Sequence, residues 1–116
     1  MKKLLFVCEA NELRSPTAEA ICKGLPGIEA KSAGMRAGPD RSVNQEMVEW
    51  ADIVFVMERR QRNKLHKLIG DLYNQKRIVC LYIPDEYEYM QPALISILKL
   101  RLKEHLGNVF ETTAPQ

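Results

Sequence analysis

The sequence predicts a single α/β domain in which helices flank a small parallel sheet. Apolar runs that are short enough to be strands alternate with helical segments along the chain. The run at residues 52–57 is apolar after its first residue, as is typical of a central parallel strand. With 116 residues the chain has the length of one domain with one core, and the sequence contains no repeat or linker. These observations predict that residues 1–116 form one domain.

The individual elements follow from hydrophobic periodicity and from turn residues. Strands are predicted at residues 3–7, 28–33, 52–57 and 77–83. Helices are predicted at residues 16–23, from residue 42, at 58–72 and at 92–106, with a loose tail at 107–116. Ser15 and Pro16 suit the cap and the first position of the first helix, and Ser42 with Gln45 suits a capping box at the second.

Composition argues against two large classes of partner. The chain is 46% hydrophobic and 28% charged, and its formal net charge of +2 is too small to predict binding to nucleic acid or to a membrane surface. No run approaches the roughly 20 apolar residues of a membrane-spanning helix. Three cysteines without a close C-x-x-C pair fit a reducing cytoplasm better than a disulfide framework. Cys22 and Cys80 lie within apolar patterns, so both are predicted to be core residues.

The helix predicted at residues 58–72 has a strongly basic face. Its cations are Arg59, Arg60, Arg62, Lys64 and Lys67. A solvated surface is the first interpretation of such a face, and a protein or RNA partner is the alternative. His66 and His105 lie beside charged helix faces, without a partner at metal-ligand spacing, so both are expected to be solvated and no metal is expected.

The stretch from Leu4 to Thr17 carries the strongest chemical signal. A buried strand ends at Cys8, and a loop then leads through Arg14 and Ser15 into a helix. Such a loop directs its backbone N–H groups toward one point, and the helix dipole makes that point favourable for an anion. Arg14 supplies a planar fork of donors that matches two phosphate oxygens, and a cysteine in that field loses its proton more easily. The pattern predicts a phosphate-binding loop with Cys8 as the nucleophile.

Each of these residues also has a simpler structural interpretation. Cys8 could be a buried core cysteine, and Arg14 could pair with Glu12 at the surface. The combination of Cys8, Arg14 and a helix start at this spacing favours the catalytic interpretation. Ser15 can cap the helix and also donate its hydroxyl to the thiolate. Asn11 can be a turn residue with a left-handed backbone and also brace the loop through its side chain.

Phosphoryl transfer to a thiolate also needs an acid to protonate the leaving group. Asp85 follows the last predicted strand and is the first candidate for that acid. Glu86 and Glu88 are competing acids, and loop solubility is the simpler interpretation of all of them. Tyr87 and Tyr89 could form the wall of a slot for an aromatic substrate, or could pack on the last helix.

Residues 8–20 resemble the signature loop of the low-molecular-weight protein tyrosine phosphatases. That signature is a cysteine, five residues and then Arg-Ser-Pro, with an asparagine third after the cysteine, as in this sequence. Residues 32–34, 51–57 and 83–87 are similar, in the same order, to that family's Ser-Ala-Gly turn, third strand and acid loop. The resemblance implies an α/β fold with a small four-stranded parallel sheet flanked by helices and a phosphate-binding loop after the first strand. It also implies a two-step reaction without a metal or other cofactor.

The same resemblance implies a role for individual residues. Cys8 would attack phosphorus, Arg14 and the loop amides would hold the phosphate oxygens, and Asp85 would protonate the leaving group and then activate water. The residues expected to bind substrate are Glu9, Ala10, Asn11, Glu12, Leu13, Arg14, Ser15 and Tyr87.

The sequence departs from the family pattern at several positions. Leu13 stands where many members have a second, redox-protective cysteine, and Glu86 replaces the proline of the acid loop. Glu9 and Glu12 place carboxylates in or beside an anion site, where each opposes binding of a dianion unless it is screened. The segment between Gly34 and Ser42 is also short for the family.

The favoured hypothesis is a cytoplasmic, cysteine-dependent phosphatase acting on phosphotyrosine or a similar aryl phosphate. Its partner would be a phosphorylated protein or a small aryl phosphate, while phosphoarginine proteins and small phosphoesters stay open as substrates. The alternatives are a non-catalytic oxyanion-binding or regulatory phosphatase-like module, a thiol-dependent arsenate reductase, which would need further cysteines near the site, and a phosphocarrier. The oligomeric state is left open by the sequence.

Overall fold

A four-stranded parallel sheet forms the centre of the protein. The computed structural model describes residues 1–110. The strands are β1 (Lys2–Cys8), β2 (Ile28–Gly34), β3 (Ile53–Val56) and β4 (Arg77–Cys80), paired in the order β2-β1-β3-β4. The helices are α1 (Arg14–Cys22), α2 (Gln45–Trp50), α3 (Arg59–Ile69) and α4 (Pro92–Leu106), and a 3₁₀ turn at Gly70–Gln75 joins α3 to β4. The expected α/β fold with a parallel sheet flanked by helices is confirmed.

Apolar side chains of β1 alternate between two buried layers, as the pleat of a strand requires. Leu4 and Phe6 belong to the layer that is closed by α1 and α4. Leu5 and Val7 belong to the other layer, which is closed by α2 and α3. Because both faces of the sheet are covered, β1 and β3 are apolar without interruption in the buried region.

The strand order positions the site. From β1 the chain crosses to β2 on one side, whereas β3 is followed by β4 on the other side, so the order reverses between β1 and β3. In open parallel sheets ligands bind beyond the carboxyl ends of the strands at such a reversal. The loop after Cys8 therefore meets Glu58, which follows β3, at one crevice.

Two helices begin at residues other than those predicted. α1 begins at Arg14 with Leu13 at its cap and no capping side chain, so the prediction that Ser15 caps the helix is wrong. The Ser15 hydroxyl is engaged with Cys8 instead of with the helix end. α2 begins at Gln45, and its cap is Asn44, whose Oδ1 accepts from Met47 N at 2.8 Å. The predicted capping box at Ser42 is therefore wrong too, because the Ser42 hydroxyl bonds to Ala37 O and Gly38 O within the preceding loop.

The second half of the chain departs from the predictions in smaller ways. α3 ends at Ile69, because Gly70 adopts a positive φ of 59° and the chain continues as a 3₁₀ turn. Leu68 stands outside the buried stripe of α3 and is 46% exposed. β4 ends at Cys80, although Leu81 N and Ile83 N still donate to the carbonyls of Val56 and Met57.

The C-terminal end of α4 bears on two further predictions. His105 is not solvated as expected, since it is half-buried and its ring meets the ring of Phe55 edge-on at 6.1 Å. The loose tail does not begin at residue 107, because Phe110 packs against the layer under α1 and α4 and lies beneath Lys99. Residues 111–116 of that expected tail lie outside the described residues. Within residues 1–110 no helix has the length and apolar character needed to cross a bilayer.

Candidate active site

The loop after β1 begins at Cys8, in the middle of the sheet. Cys8 is 3% exposed and pairs in register with Gly34 of β2. The chain after β2 continues this pairing, because Met35 N donates to Cys8 O at 2.9 Å and Arg36 N donates to Glu9 O at 2.7 Å. The backbone on both sides of the thiol is thus fixed before the loop turns away.

Gly34 allows the loop to lie directly against β2. A Cβ atom at this position would stand 2.9 Å from Asn11 N and 3.0 Å from Glu9 O. Both neighbours are backbone atoms that cannot rotate away, so a side chain at residue 34 would push the loop out of place. The glycine of the Ser32-Ala33-Gly34 turn is therefore required by close packing of the loop.

Asn11 and Ser15 brace the thiol from within the loop. Asn11 has a φ of 55°, and its Nδ2 donates to Ser15 Oγ at 3.0 Å. Ser15 Oγ lies 2.9 Å from Cys8 Sγ and 3.3 Å from Ala33 O. Both expectations for Asn11, the left-handed backbone and the bracing amide, are confirmed. A hydroxyl held against the sulfur can stabilise negative charge on it.

The backbone amides of the loop are available to an anion. Among residues 1–110, the N–H groups of residues 9–13 donate no hydrogen bond to a protein acceptor. These groups precede α1, whose N-terminus adds positive potential at the same place. Unbonded N–H groups at the start of a helix are a site for a phosphate or a similar oxyanion.

Arg14 is held from behind by Glu58 and by a carbonyl. The guanidinium is 2% exposed, and its Nη1 donates to Glu58 Oε1 at 2.7 Å and to Ile83 O at 2.9 Å. Burial raises the pKa of Glu58, but the hydrogen bonds and charges of Arg14 and Arg60 outweigh it, so its pKa lies below the ordinary 4.5. Arg14 therefore pairs with Glu58 and not with Glu12. Because Nη1 is engaged, a bidentate contact of the kind that suits a phosphate would use the Nε and Nη2 edge, where Asp85 Oδ1 lies 3.7 Å from Nε.

Asp85 is the acid of the last loop that reaches the crevice. Its Oδ1 lies 3.7 Å from Arg14 Nε, and its side chain is 54% exposed. Glu86 and Glu88 are exposed and do not line the cavity described below. Tyr87 packs against the core layer under α1 and α4, and Tyr89 lines a separate groove beside α1. The structure thus brings Asp85 to the loop and leaves both tyrosines outside the cavity.

These groups surround a cavity of about 150 Å³. Its lining consists of Cys8, Glu9, Ala10, Glu12, Leu13, Arg14 and Asp85. Six of these residues belong to one continuous loop, and Asp85 comes from the loop beyond β4. Within residues 1–110 no group of His, Cys, Asp and Glu residues is arranged to hold a metal ion.

The carboxylate of Glu9 is balanced by two cations. Its Oε2 lies 3.6 Å from Arg36 Nε and 3.6 Å from Lys64 Nζ, while its Oε1 is buried without a hydrogen-bond partner. Glu12 is exposed, so water and salt screen its charge. The two departures from the family pattern are therefore partly compensated, one by ion pairs and one by solvent.

Sequence reasoning missed Glu58, Arg36 and Lys64 as neighbours of the site. Glu58 lies 44 residues from Arg14 along the chain and looked like the start of a basic helix. The available signal was its position directly after a buried parallel strand, where functional side chains collect. Gln61 was missed as well; its Oε1 accepts from Met57 N and from Glu58 N at 3.0 Å each and so fixes the turn that presents Glu58.

The other two cysteines stand apart from the cavity. Cys22 is fully buried in α1, and burial raises the pKa of its thiol to about 12. Cys80 is half-buried at the end of β4 and packs against the layer under α2 and α3. Neither lines the cavity. The core prediction is confirmed for Cys22, while Cys80 lies at the edge of the core.

Comparison with known proteins agrees with this geometry. Residues 3–52 match the model of the family described as low molecular weight phosphotyrosine protein phosphatase. A curated relative, a protein-arginine-phosphatase of Geobacillus stearothermophilus, is 50% identical over 50 residues. That match covers 40% of this chain and 34% of the relative, so it spans about a third of the relative's length.

Solved structures extend the likeness to most of the described chain. The tyrosine phosphatase amsI of Erwinia amylovora has a TM-score of 0.72 at 19% identity, with 89% of each chain covered. The YwlE arginine phosphatase of Geobacillus stearothermophilus has a TM-score of 0.67 at 23% identity, covering 90% of this chain and 92% of that one. The tyrosine phosphatase Wzb of Escherichia coli K30, solved with phosphate, has a TM-score of 0.71 at 18% identity, covering 89% and 94%. Residues 3–52 are thus similar in sequence to the low molecular weight phosphotyrosine protein phosphatase family, and the described chain shares the fold of these solved phosphatases.

Proposed function

We propose that this protein is a cysteine-dependent phosphatase that hydrolyses a phosphate monoester or a phosphoramidate through a cysteinyl-phosphate intermediate. The observation that carries the proposal is the cavity in which Cys8, unbonded loop amides and Arg14 meet. We take residues 1–116 as one catalytic domain, in the reducing cytoplasm that its free cysteines fit. Its substrate would be a phosphorylated protein or a small phosphorylated molecule.

In the first step the Cys8 thiolate attacks phosphorus. A bond forms between Sγ and phosphorus as the bond from phosphorus to the leaving atom breaks. The amides of residues 9–13 and the Nε and Nη2 edge of Arg14 hold the phosphate oxygens through this transfer. Asp85 gives its proton to the leaving group, since it lines the cavity from the loop beyond β4 and its Oδ1 lies 3.7 Å from Arg14 Nε.

In the second step water replaces the sulfur. Asp85, now a carboxylate, accepts a proton from the water as its oxygen bonds to phosphorus. The bond between phosphorus and Sγ breaks, inorganic phosphate leaves, and Cys8 is again a thiolate. The Ser15 hydroxyl, 2.9 Å from Sγ, stabilises the departing sulfur in this step.

Two substrate classes have support from different observations. Phosphotyrosine is supported by the family that residues 3–52 match and by the named tyrosine phosphatases that share the fold. Phosphoarginine is supported by the name of the curated relative and by the cavity itself. Among the described residues its lining contains no aromatic side chain, and Glu12 and Asp85 stand at its edge. A guanidinium leaving group carries positive charge that such carboxylates attract, whereas a phenol does not.

The proposal is tested by pH–rate profiles with an aryl phosphate and with a phosphoarginine peptide. Wild type is compared with Asp85→Asn and Glu86→Gln, and Cys8→Ser is compared with Cys22→Ser. We expect Cys8→Ser to abolish turnover, Cys22→Ser to retain it and Asp85→Asn to lower it by about a hundredfold or more. Glu86→Gln should leave the profile unchanged. Turnover that survives Cys8→Ser contradicts the mechanism, and phosphate binding without turnover in the reduced protein favours the non-catalytic alternative.

Glu12→Gln separates the two substrate classes. If the physiological substrate is a phosphoarginine protein, kcat/KM for the phosphoarginine peptide should fall about threefold to tenfold while that for the aryl phosphate stays level or rises. If the physiological substrate is phosphotyrosine, Glu12 only repels the phosphate. Glu12→Gln should then raise kcat/KM for the aryl phosphate and for the phosphoarginine peptide alike.

A further inference from the structure

Three cations on α3 and one in the loop after β2 form a strip that leads away from the cavity. We call Arg36, Arg60, Lys64 and Lys67 the basic strip. Arg60, Lys64 and Lys67 are spaced by four and three residues, so they share one face of α3. The opposite face of the helix is buried through Gln61, Leu65 and Ile69. The basic strip is therefore on the side of α3 that faces solvent, and all four of its residues are exposed.

The basic strip begins at the edge of the cavity. Lys64 Nζ and Arg36 Nε each lie 3.6 Å from Glu9 Oε2, and Glu9 lines the cavity. Arg60 Nη2 lies 3.4 Å from Glu58 Oε1, the carboxylate that also holds Arg14. Lys67 stands one turn of α3 beyond Lys64. A chain whose phosphorylated residue enters the cavity on this side therefore passes along the strip.

The charges along this path are unbalanced. α3 contains no Asp or Glu in its 11 residues, RRQRNKLHKLI. Arg36 and Lys64 both pair with the same carboxylate oxygen, Oε2 of Glu9. Glu12 and Asp85 also line the cavity, and both are exposed. Cations of the strip and exposed carboxylates therefore both lie at the cavity.

We propose that the basic strip binds acidic residues that lie next to the phosphorylated residue of a protein substrate. This inference rests on the proposed phosphatase function and adds to it the charge of the substrate and the side on which it lies. Charges of opposite sign across such a surface raise the rate of encounter and fix the orientation of the bound chain. Nucleic acid fits less well, because the whole chain has a formal net charge of only +2 and acidic side chains stand beside the strip.

The test compares phosphopeptides that differ in the charge of their flanking residues. Peptides with three glutamates, three glutamines or three lysines on either side are made with phosphotyrosine and with phosphoarginine. Wild type, Lys67→Ala and Lys67→Glu are measured, because Lys67 belongs to the strip but contacts no cavity residue. Lys2→Glu is the matched control, since the same charge reversal then lies at the other end of β1, about 20 Å from Cys8. Binding to the Cys8→Ser variant is measured by fluorescence anisotropy, so that affinity is read without turnover.

We expect wild type to prefer the glutamate peptide on one side of the phosphorylated residue, and Lys67→Glu to lower its kcat/KM and its affinity about threefold to tenfold. Lys67→Ala should give an intermediate loss, added salt should remove the preference, and hydrolysis of a small aryl phosphate should not change. The inference is overturned if wild type shows no preference, if Lys2→Glu has the same effect, or if a single-stranded RNA binds more tightly through Lys67. Turnover without a charge preference rejects the role of the basic strip but supports the phosphatase function. Preferential binding of the glutamate peptide without any turnover supports the role of the strip and rejects the phosphatase function.

Discussion

Single residues at the site are held in place by neighbours, some of them distant in sequence. Arg14 can orient a phosphate only if its own guanidinium is held still, and Glu58 and Ile83 O provide that hold from beyond β3 and β4. Ser15 serves the sulfur of Cys8 because Asn11 directs an N–H at the same hydroxyl. The thiol and the guanidinium of the proposed mechanism are therefore held in place by Glu58, by Ile83 O, and by Ser15 together with Asn11.

Glu58→Gln tests the hold on Arg14. The glutamine keeps the shape of the side chain but loses the charge, so the guanidinium is positioned less firmly. We expect kcat/KM for an aryl phosphate to fall by about tenfold or more, whereas Glu29→Gln, an exposed position on β2, should have no effect. Equal rates for Glu58→Gln and wild type would show that Arg14 needs no partner behind it.

At the scale of the elements, the ends of three strands assemble the site. Cys8 is the last residue of β1, and Glu58 follows β3 by two residues. Asp85 comes from the loop after β4. β2 contributes no group that lines the cavity, but its end supports the loop through Gly34 and through the bonds from Met35 N and Arg36 N. The sheet order brings these ends to the crevice between β1 and β3.

Gly34→Ala tests the packing of the loop against β2. The new methyl group would stand 2.9 Å from Asn11 N, so the loop amides must move. We expect kcat/KM to fall about a hundredfold, because displacement of the loop by even 1 Å spoils the alignment of thiol and phosphate. The free energy of unfolding should fall by about 1–3 kcal/mol.

Gly38→Ala is the matched control for that substitution. A Cβ atom at residue 38 meets nothing within 4 Å, so the same chemical change should leave both rate and stability near wild type. If the two alanine variants have the same kcat/KM, the close approach at Gly34 does not position the loop.

For the whole molecule, the sequence predicted the parts that depend on local pattern. The order of strands and helices follows from hydrophobic periodicity, and the loop with Cys8 and Arg14 is continuous in sequence. Contacts that depend on the closed fold were not predictable: the position of Glu58 after a buried strand marks a candidate functional side chain, but nothing local identifies Arg14 as its partner. The starts of α1 and α2 were missed because Ser15 and Ser42 had nearer partners than a helix end.

The site and the fold are also coupled through pH. The pKa of Glu58 lies below its ordinary 4.5 in the folded protein, so its pairing stabilises the fold fully above that value. This stabilisation is lost as pH falls through the lower, folded pKa. We expect wild type to exceed Glu58→Gln in free energy of unfolding at neutral pH, and the difference to shrink toward zero in acid. Urea titrations over a pH series measure it, and a difference that grows in acid would contradict the assignment.

The central claim is that Cys8 carries the phosphoryl group between the two steps. Asp85→Asn should slow the hydrolysis of that intermediate, because it removes the base that activates water. The most direct measurement is mass spectrometry of this variant, quenched in acid during turnover of an aryl phosphate and digested. The account predicts one added phosphoryl group on the peptide that contains Cys8. This group should be absent from the double variant that carries both Asp85→Asn and Cys8→Ser. Product formation with no phosphoryl group on that peptide, or with one on a Cys22 or Cys80 peptide, would contradict it.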